Sequence, residues 1–169
     1  MKKILKFEKV SFEQFSADYI AVFGETDAAK LREIYEGITI PRRATAGSAG
    51  YDFFLPEAVC LPAGNTVLIP TGIRVQMPVG WVLFICPRSG LGFKFRFQLD
   101  NTIGIIDEDY YDSSNEGHIM AKLTNDSREG KELRLEAGKA FIQGVFLPYG
   151  VTSDDDAGGK RTGGFGSTG

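Results

Sequence analysis

Residues 99–112 read Leu-Asp-Asn-Thr-Ile-Gly-Ile-Ile-Asp-Glu-Asp-Tyr-Tyr-Asp. The isoleucines favour a half-buried strand over 103–106. Acidic residues then interrupt the apolar run: Asp107, Glu108, Asp109 and Asp112. Because Asp107 follows two isoleucines directly, we expect it at a strand end, partly desolvated, where a carboxylate can take a proton from water. Tyr110 offers an aromatic face beside it. A solvated acidic turn is the alternative, and this stretch alone favours the turn.

The composition describes a globular protein and excludes several classes. The chain has 169 residues, enough for one domain with a sizeable core. A net charge of −3 argues against broad binding to nucleic acid or membrane surfaces. Cys60 and Cys86 form no C-x-x-C motif, so neither a disulfide scaffold nor a zinc site is expected. The longest apolar run, residues 81–86, is too short to span a bilayer. We therefore expect a cytoplasmic protein.

The N-terminal part carries the helical signals. Residues 3–10 roughly alternate and predict a first strand. Residues 11–26 begin with the start signal Ser11 and predict a short helix or a packed loop. The pattern over 27–36 predicts a helix, capped by Thr26 or Asp27 and ended by Gly37. Beyond Ile38 the sequence predicts no helix.

Strands and turns alternate at short spacing through the rest of the chain. Ten strands are predicted, at 51–54, 58–61, 66–69, 72–77, 81–86, 94–99, 103–106, 117–124, 132–135 and 140–147. Regular Pro, Gly and Asn-Asp turns between them favour an antiparallel sandwich or jelly roll. Residues 1–149 are thus expected to form one all-β domain with a short N-terminal helical extension. Residues 150–169 are rich in Gly, Ser and Asp and are expected to form a flexible arm.

Glycine is the outlier of the composition, with 21 residues, many of them grouped. The first group, residues 46–52, ends in Asp52 and on its own favours a tight turn. The second, residues 87–92, follows an apolar strand and contains Arg88 and Ser89. Such a turn suits phosphate oxygens, and a loop whose arginine pairs with Asp52 or a neighbour is an equal alternative.

Two further groups lie near the C-terminus. Gln143 interrupts an otherwise apolar strand within 137–146 and must find hydrogen-bond partners there, either structural ones or a ligand. Residues 158–169 combine glycines with two cations, an aromatic ring and hydroxyls. This mix suits a closing lid in which Phe165 stacks on a base and Arg161, Ser167 and Thr168 hold phosphates.

Five runs of the chain resemble the five motifs of the homotrimeric deoxyuridine triphosphatase (dUTPase) family and follow the same order. These runs are Ala46–Asp52, Pro87–Lys94, Asn101–Tyr110, Gly138–Phe146 and Gly163–Gly169. The runs Pro-Arg-Ser-Gly-Leu-Gly and Gly-Gly-Phe-Gly-Ser-Thr-Gly are intact. The resemblance implies a jelly-roll-like β subunit and a trimer with three active sites at subunit interfaces. Each site would draw residues from all three chains.

The resemblance also implies residue roles. Asp107 matches the water-activating base, and Tyr110 matches the tyrosine that packs on deoxyribose and blocks a ribose 2′-OH. Residues matching the substrate-binding positions are Asn101, Gly104, Ile105, Ile106 and Met120 for uracil; Arg88, Ser89, Gly90 and Gln143 for phosphates; and Arg161, Phe165, Gly166 and Ser167 in the closing arm. Mg²⁺ would be held mainly by the substrate phosphates, with Asp52 as a supporting carboxylate.

The chain departs from the family pattern in identifiable places. Lys160 stands where many members have the tail arginine, so either Lys160 or Arg161 meets the γ-phosphate. Residues 111–116 are inserted where most members make a short turn. The N-terminal extension, including the helix at 27–36, is similar to those of some bacteriophage-encoded members.

The sequence therefore predicts a dUTP diphosphatase that converts dUTP to dUMP and diphosphate, and so limits uracil in DNA. A related enzyme, a dCTP deaminase, is one alternative. A nucleotide-gated regulator is another, in which a second protein such as a repressor docks at 111–116 or on the N-terminal extension. His118 is expected to be structural.

Overall fold

The computed structural model describes residues 4–159 together with Arg161 and Gly163. Three α-helices lie in this part of the chain: α1 (Phe12–Phe23), α2 (Ala28–Gly37) and α3 (Ser89–Phe95). A 3₁₀ turn covers Glu108–Asp112. The strands are β1 (Lys6–Lys9), β2 (Arg42–Arg43), β3 (Tyr51–Phe54), β4 (Val59–Leu61), β5 (Thr66–Pro70), β6 (Ile73–Gln76), β7 (Trp81–Pro87), β8 (Phe97–Leu99), β9 (Gly104–Ile106), β10 (Met120–Asn125), β11 (Leu133–Leu135) and β12 (Ala140–Pro148).

These strands pair antiparallel in several sheets. The largest sheet has the order β2-β3-β12-β7-β9, and its centre is the long ladder between β7 and β12. A three-stranded sheet has the order β5-β10-β8, and two further pairs join β1 to β6 and β4 to β11. Most neighbours are distant in sequence, so the chain crosses repeatedly between sheets. This arrangement confirms the predicted jelly-roll-like, antiparallel β fold.

Alternation along the strands directs apolar side chains into one core. In β10 the side chains of Ala121, Leu123 and Asn125 are buried, while Lys122 between them is exposed. This period of two is the pattern of a strand with one face against the core. The largest fully buried side chains of the core come from most parts of the chain: Tyr19, Phe15, Phe53, Phe97, Phe141, Ile73, Leu83, Ile119, Leu123, Leu133, Ile142 and His118.

The N-terminal segment contributes to this same core. β1 pairs with β6, in register from Lys6 opposite Gln76 to Lys9 opposite Ile73. α1 buries Phe15 and Tyr19, and α2 buries Leu31 and Ile34. Because these side chains belong to the core cluster, the segment is an integral layer of the domain.

α1 and α2 each begin at a capping side chain that the sequence predicted. Ser11 caps α1, since its Oγ accepts from the backbone N–H of Gln14 at 3.1 Å. Asp27 caps α2, since its Oδ1 accepts from Ala29 at 2.8 Å. Of the predicted alternatives, residues 11–26 therefore contain a helix rather than a packed loop, and Asp27 rather than Thr26 is the second cap.

The predicted strands are all present, β3 with the predicted bounds and the others with shifted ends, and two elements differ from the prediction. The expectation of no helix beyond Ile38 is wrong, because α3 occupies residues predicted as the start of a strand at 94–99. Because α3 is short and contains two glycines, its sequence shows no helical periodicity. The helix ends at Arg96, which has a φ of 49° and donates its N–H to Gly92 O at 2.8 Å. The two-residue strand β2 was also not predicted.

Residues 150–159 are exposed and carry neither helix nor strand. The division into a domain over 1–149 and an arm over 150–169 remains a prediction. Within the described part of the chain, no helix is both long and apolar enough to cross a membrane.

Candidate active site

Asp107 lies where the sequence placed it, directly after the end of β9. Its backbone is extended and leads into the 3₁₀ turn over Glu108–Asp112. The carboxylate is less desolvated than expected, because half of the side chain (50%) is exposed in the single chain. The neighbouring Glu108 turns away and accepts the backbone N–H of Gly80 at 2.6 Å. The Asp107 carbonyl accepts the Tyr110 N–H at 3.2 Å, while its side chain makes no capping hydrogen bond to the turn.

Tyr110 is held in place through its hydroxyl. Only 4% of the residue is exposed. The hydroxyl donates to the carbonyl of His118 at 2.8 Å and accepts from Asn115 Nδ2 at 2.8 Å. Burial raises the pKa of this phenol above its ordinary value, so the hydroxyl stays a donor at neutral pH. The ring is thus fixed three residues from Asp107.

A mainly apolar cleft of about 340 Å³ opens beside β9 and β10. Four of the residues predicted to bind uracil line it: Asn101, Gly104, Ile106 and Met120. Ile105 does not, because the strand pleat turns its side chain to the other face, where it is 59% exposed. Any contact of Ile105 with a base would therefore use its backbone. The cleft lies within the usual size range for a small-molecule site.

The glycine-rich turn after β7 brings together a second set of predicted residues. Arg88 precedes α3 and pairs through Nε with Oδ1 of Asp52 at 3.0 Å. The pairing considered as the alternative for this loop is therefore present. Ser89 and Gly90 follow at the exposed start of α3. An arginine held by a carboxylate beside an exposed hydroxyl suits an anionic ligand.

Gln143 lies next to this turn, in the middle of β12. It stands opposite Asp52 of β3 and Cys86 of β7. Its Nε2 donates to the carbonyl of Pro87 at 3.3 Å. Gly50 packs against the same side chain, since a Cβ at Gly50 would lie 2.6 Å from Gln143 Oε1. The structural partner considered for this half-buried glutamine is therefore present.

Arg161 contacts the acidic end of the site, a contact that sequence reasoning missed. Its Nη2 donates to Oδ2 of Asp107, and its Nε donates to Oδ1 of Asp109 at 2.8 Å. Its guanidinium carbon lies 5.6 Å from the centre of the Tyr110 ring. Burial opposes the charge, but the bonds to Asp109 and Asp107 outweigh it and raise the pKa of Arg161. The one sequence signal for this contact was opposite charge: Arg161 is a cation in a glycine-rich tail, and Asp107 and Asp109 belong to a run of carboxylates.

The remaining arm residues predicted to bind substrate, Phe165, Gly166 and Ser167, lie outside the described residues, as does Lys160. The site residues that are described form two groups. One surrounds Asp107, Tyr110, Arg161 and the cleft. The other surrounds Arg88, Ser89, Gly90 and Gln143.

His118 is structural, as predicted. It is fully buried, and its Nε2 accepts the backbone N–H of Gly72 at 2.7 Å. Its Nδ1 lies 2.5 Å from Oδ2 of Asp18 in α1. Since Nε2 is an acceptor, the proton of the neutral ring belongs on Nδ1 and points to Asp18. No local pattern indicated this link between residues 100 positions apart.

Comparisons with known proteins agree with the fold and the motif order. The dUTPase family model matches residues 36–169. The deoxyuridine 5'-triphosphate nucleotidohydrolase of Lactococcus lactis subsp. lactis (strain IL1403) is 44% identical over 136 residues, which cover 79% of this chain and 89% of the relative. The match begins at the end of α2, so residues 1–35, with β1, α1 and most of α2, lie outside the family model.

Solved structures give the same result. The dUTPase from Streptococcus mutans is similar with a TM-score of 0.63 at 36% identity, covering 86% of this chain and 97% of that one. A variant of the Staphylococcus bacteriophage 80alpha dUTPase, described as controlling transfer of virulence genes by a proto-oncogenic G protein-like mechanism, shares the fold. It has a TM-score of 0.63 at 18% identity, covering 95% of this chain and 100% of that one. By family match, sequence identity and fold together, the chain belongs to the dUTPase family of nucleotide hydrolases.

Proposed function

We propose that this enzyme hydrolyses dUTP to dUMP and diphosphate, with Asp107 as the general base. The observation that carries the proposal is the position of Asp107 at the end of β9, whose Gly104 and Ile106 line the 340 Å³ cleft. A nucleoside in that cleft would present its α-phosphate near the strand end. The half-exposed carboxylate is accessible to water there.

The reaction balances with one water. Asp107 takes a proton from water while the water oxygen forms a bond to the α-phosphorus. The bond from that phosphorus to the bridging oxygen of the β-phosphate breaks, and diphosphate leaves with the negative charge. Positioned cations and backbone N–H groups stabilise the charge that develops on the phosphoryl oxygens.

Base recognition is assigned to the cleft. Asn101 and the backbone through Ile105 would offer the uracil edge hydrogen bonds, while Met120 and Ile106 enclose the ring. β9 and β7 approach closely where they line the cleft, because a Cβ at Gly104 would lie 3.0 Å from Ile85 Cβ.

The phosphates are assigned to the second group and to the arm. Arg88, Ser89, Gly90 and Gln143 lie around one turn, where a charged donor, a hydroxyl and an amide are close together. In the family-typical trimer this group would meet the Asp107 group of another chain. Phe165, Gly166 and Ser167 would close over the nucleotide, and Arg161 or Lys160 would reach the γ-phosphate.

Mg²⁺ is proposed to arrive on the triphosphate. Among the described residues, no three His, Cys, Asp or Glu side chains are close enough to hold a metal ion. Asp52, considered as a supporting carboxylate, already pairs with Arg88 at 3.0 Å. Asp107 and Asp109 both contact Arg161. These donors do not fit a protein metal site, so Mg²⁺ would be bound by the phosphate oxygens of the substrate, which it prefers as ligands.

A nucleotide-dependent regulatory role remains a second proposal. A protein partner such as a repressor would dock at 111–116 or on the N-terminal helices. The phage relative that shares the fold motivates it. Within the insertion, Asp112 and Ser114 are exposed and available, whereas Tyr111 and Glu116 contact the protein's own N-terminal segment. Shortening 111–116 and assaying capture of partners with and without a nonhydrolysable dUTP analogue tests this role.

A product assay tests the enzymatic proposal. The purified protein is incubated with Mg²⁺ and dUTP, dCTP, dTTP or UTP in parallel, and nucleotides are separated by anion-exchange chromatography. We expect dUMP and diphosphate in equal amounts, from dUTP alone. Ammonia release from dCTP would favour the deaminase alternative, and no product from any nucleotide would contradict both.

A further inference from the structure

Three side-chain links join the N-terminal segment to residues 111–118. Ser11 donates its backbone N–H and its hydroxyl to the two oxygens of Glu116, each at 2.7 Å. Tyr111 donates its hydroxyl to Glu8 at 2.6 Å. The third link is the 2.5 Å contact between His118 and Asp18. The N-terminal partners all lie before residue 36, outside the family match.

Residues 113–118 in turn wrap around Tyr110. The Tyr110 hydroxyl is bonded to His118 O and Asn115 Nδ2, and Ser113 Oγ donates to the Tyr110 carbonyl at 2.7 Å. Gly117 lies flat against this backbone, because a Cβ there would be 2.7 Å from Tyr110 O. A shift of this wrapping segment would therefore move the tyrosine with it.

The contact between His118 and Asp18 of α1 has a defined donor. The backbone N–H of Gly72 donates to Nε2 of His118, so the imidazole can donate only through Nδ1, toward Asp18. The same Asp18 oxygen also accepts from Gln14 Nε2 at 2.8 Å. The imidazole, and with it the His118 carbonyl that holds Tyr110, is thereby aligned by α1.

Glu116 adds a second constraint. Its φ is 57°, in the left-handed region that non-glycine residues seldom adopt. Such a conformation persists where surrounding contacts determine it, and here two hydrogen bonds from Ser11 supply them. Without that carboxylate, the turn before Gly117 would be expected to relax.

We propose that Asp18 and Glu116 are positioning residues, through which the N-terminal segment fixes the Tyr110 ring and sets discrimination between 2′-deoxyribose and ribose. The inference rests on the proposed function and on the contact with the sugar that the family resemblance implies for Tyr110. A ring held by its hydroxyl leaves no space for a 2′-OH, and a ring released by loss of either link admits it. Neither carboxylate touches substrate.

The test compares dUTP with UTP in matched variants. Asp18→Ala and Glu116→Ala each remove one link. Asp18→Asn keeps an oxygen that can accept from His118 and Gln14, and Glu116→Gln keeps an acceptor for the Ser11 N–H. Glu13→Ala, on the exposed side of the same helix, is the control. For each variant, kcat and KM are measured for both nucleotides, and folding is checked by thermal unfolding.

Displacing a positioned group by about 1 Å can change a rate on the order of 10²-fold. We expect each alanine variant to lose roughly tenfold of the dUTP-over-UTP selectivity, mainly through faster turnover of UTP. The value of kcat for dUTP should change little. The Asn and Gln variants and Glu13→Ala should keep the wild-type selectivity.

A double variant separates positioning from plain stability. Tyr110→Phe removes the hydroxyl through which the ring is held, so adding Glu116→Ala to it should cause no further loss of selectivity. Equal losses for dUTP and UTP in the alanine variants, or unchanged selectivity in folded Glu116→Ala, would overturn the inference. If Asp18→Ala does not fold, Glu116→Ala decides alone. A wild-type protein that does not hydrolyse dUTP refutes instead the proposed function, which is a distinct result.

Discussion

Arg161 lies across Asp107, donating Nη2 to its Oδ2, while Nε of the same guanidinium donates to Asp109 at 2.8 Å. The proposed base is therefore paired with a cation from the C-terminal segment while half of its side chain stays exposed. A bound triphosphate offers this arginine more negative charge than two half-exposed carboxylates do. Substrate binding is then expected to exchange one set of partners for the other and release Asp107 to act on water.

Replacement of the base gives the first prediction. Asp107→Asn keeps nearly the same volume and removes the proton acceptor, so dUTP should still bind while kcat falls on the order of 10²–10⁴-fold. Single-turnover hydrolysis and binding of dUTP, measured separately, check it. Asp109→Asn is the matched control and should retain most turnover. Near-normal turnover in Asp107→Asn with loss in Asp109→Asn would move the base to Asp109.

The second prediction concerns the loss of positive charge at Lys160 and Arg161 in the C-terminal arm. If Arg161 transfers to the phosphates, Arg161→Gln should raise KM for dUTP on the order of tenfold, because a hydrogen bond to a charged group contributes about 1.5–3 kcal/mol. Lys160→Gln should have the smaller effect, and neither change should alter thermal stability much. A larger rise in KM for Lys160→Gln than for Arg161→Gln would assign the γ-phosphate to Lys160.

Much of the fold could be predicted because its signals are local. β7 and β12 carry mainly apolar runs bounded by Pro or Gly, and β10 alternates. The side chains of Ser11 and Asp27 cap backbone N–H groups two or three residues away. The site was predictable only as a set of motifs. The contact of Arg161 with Asp107 spans 54 residues and depends on how the arm folds back, which no local pattern encodes.

The third prediction concerns Gln143, one of the residues proposed to bind the substrate phosphates. Gly50→Ala places a Cβ 2.6 Å from Gln143 Oε1, and the flexible amide can move aside without disturbing the sheet. We expect the amide to leave Pro87 and KM for dUTP to rise severalfold, as for one hydrogen bond of about 0.5–1.5 kcal/mol. Gly47→Ala is the matched control, since nothing lies within 4 Å of its added Cβ. Steady-state kinetics of both variants decide the matter, and equal KM values would remove Gln143 from the phosphate site.

The fourth prediction is acid sensitivity of the N-terminal links. Burial raises the pKa of Glu116, but hydrogen bonds from Ser11 outweigh it and hold the pKa below the usual 4.5. Likewise, burial of Asp18 is outweighed by its bonds from His118 and Gln14, and its pKa lies below 3.8. Both contributions to stability are complete above about pH 4.5 and are lost as the pH falls through the lowered values.

Thermal unfolding of the wild type and of Glu116→Gln between pH 7 and pH 3, at one protein concentration, measures this effect. The glutamine does not titrate, so the variant should lose less stability than the wild type as the pH falls. Parallel pH profiles would show that the Glu116 carboxylate carries none of the acid sensitivity.

The three links between the N-terminal segment and residues 111–118 also bear on how the chain is made. Their partners are 103, 105 and 100 residues apart. At a synthesis rate of about 5–20 residues per second, the ribosome needs roughly 5–20 s to deliver the second partner after the first. During that interval Glu8, Ser11 and Asp18 lack these distant partners and have only local ones, such as Gln14 for Ser11 and Asp18. The Tyr110 ring beside the proposed base is therefore oriented late in biogenesis, and a nascent chain stalled before residue 118 would carry Asp107 without its aligned neighbour.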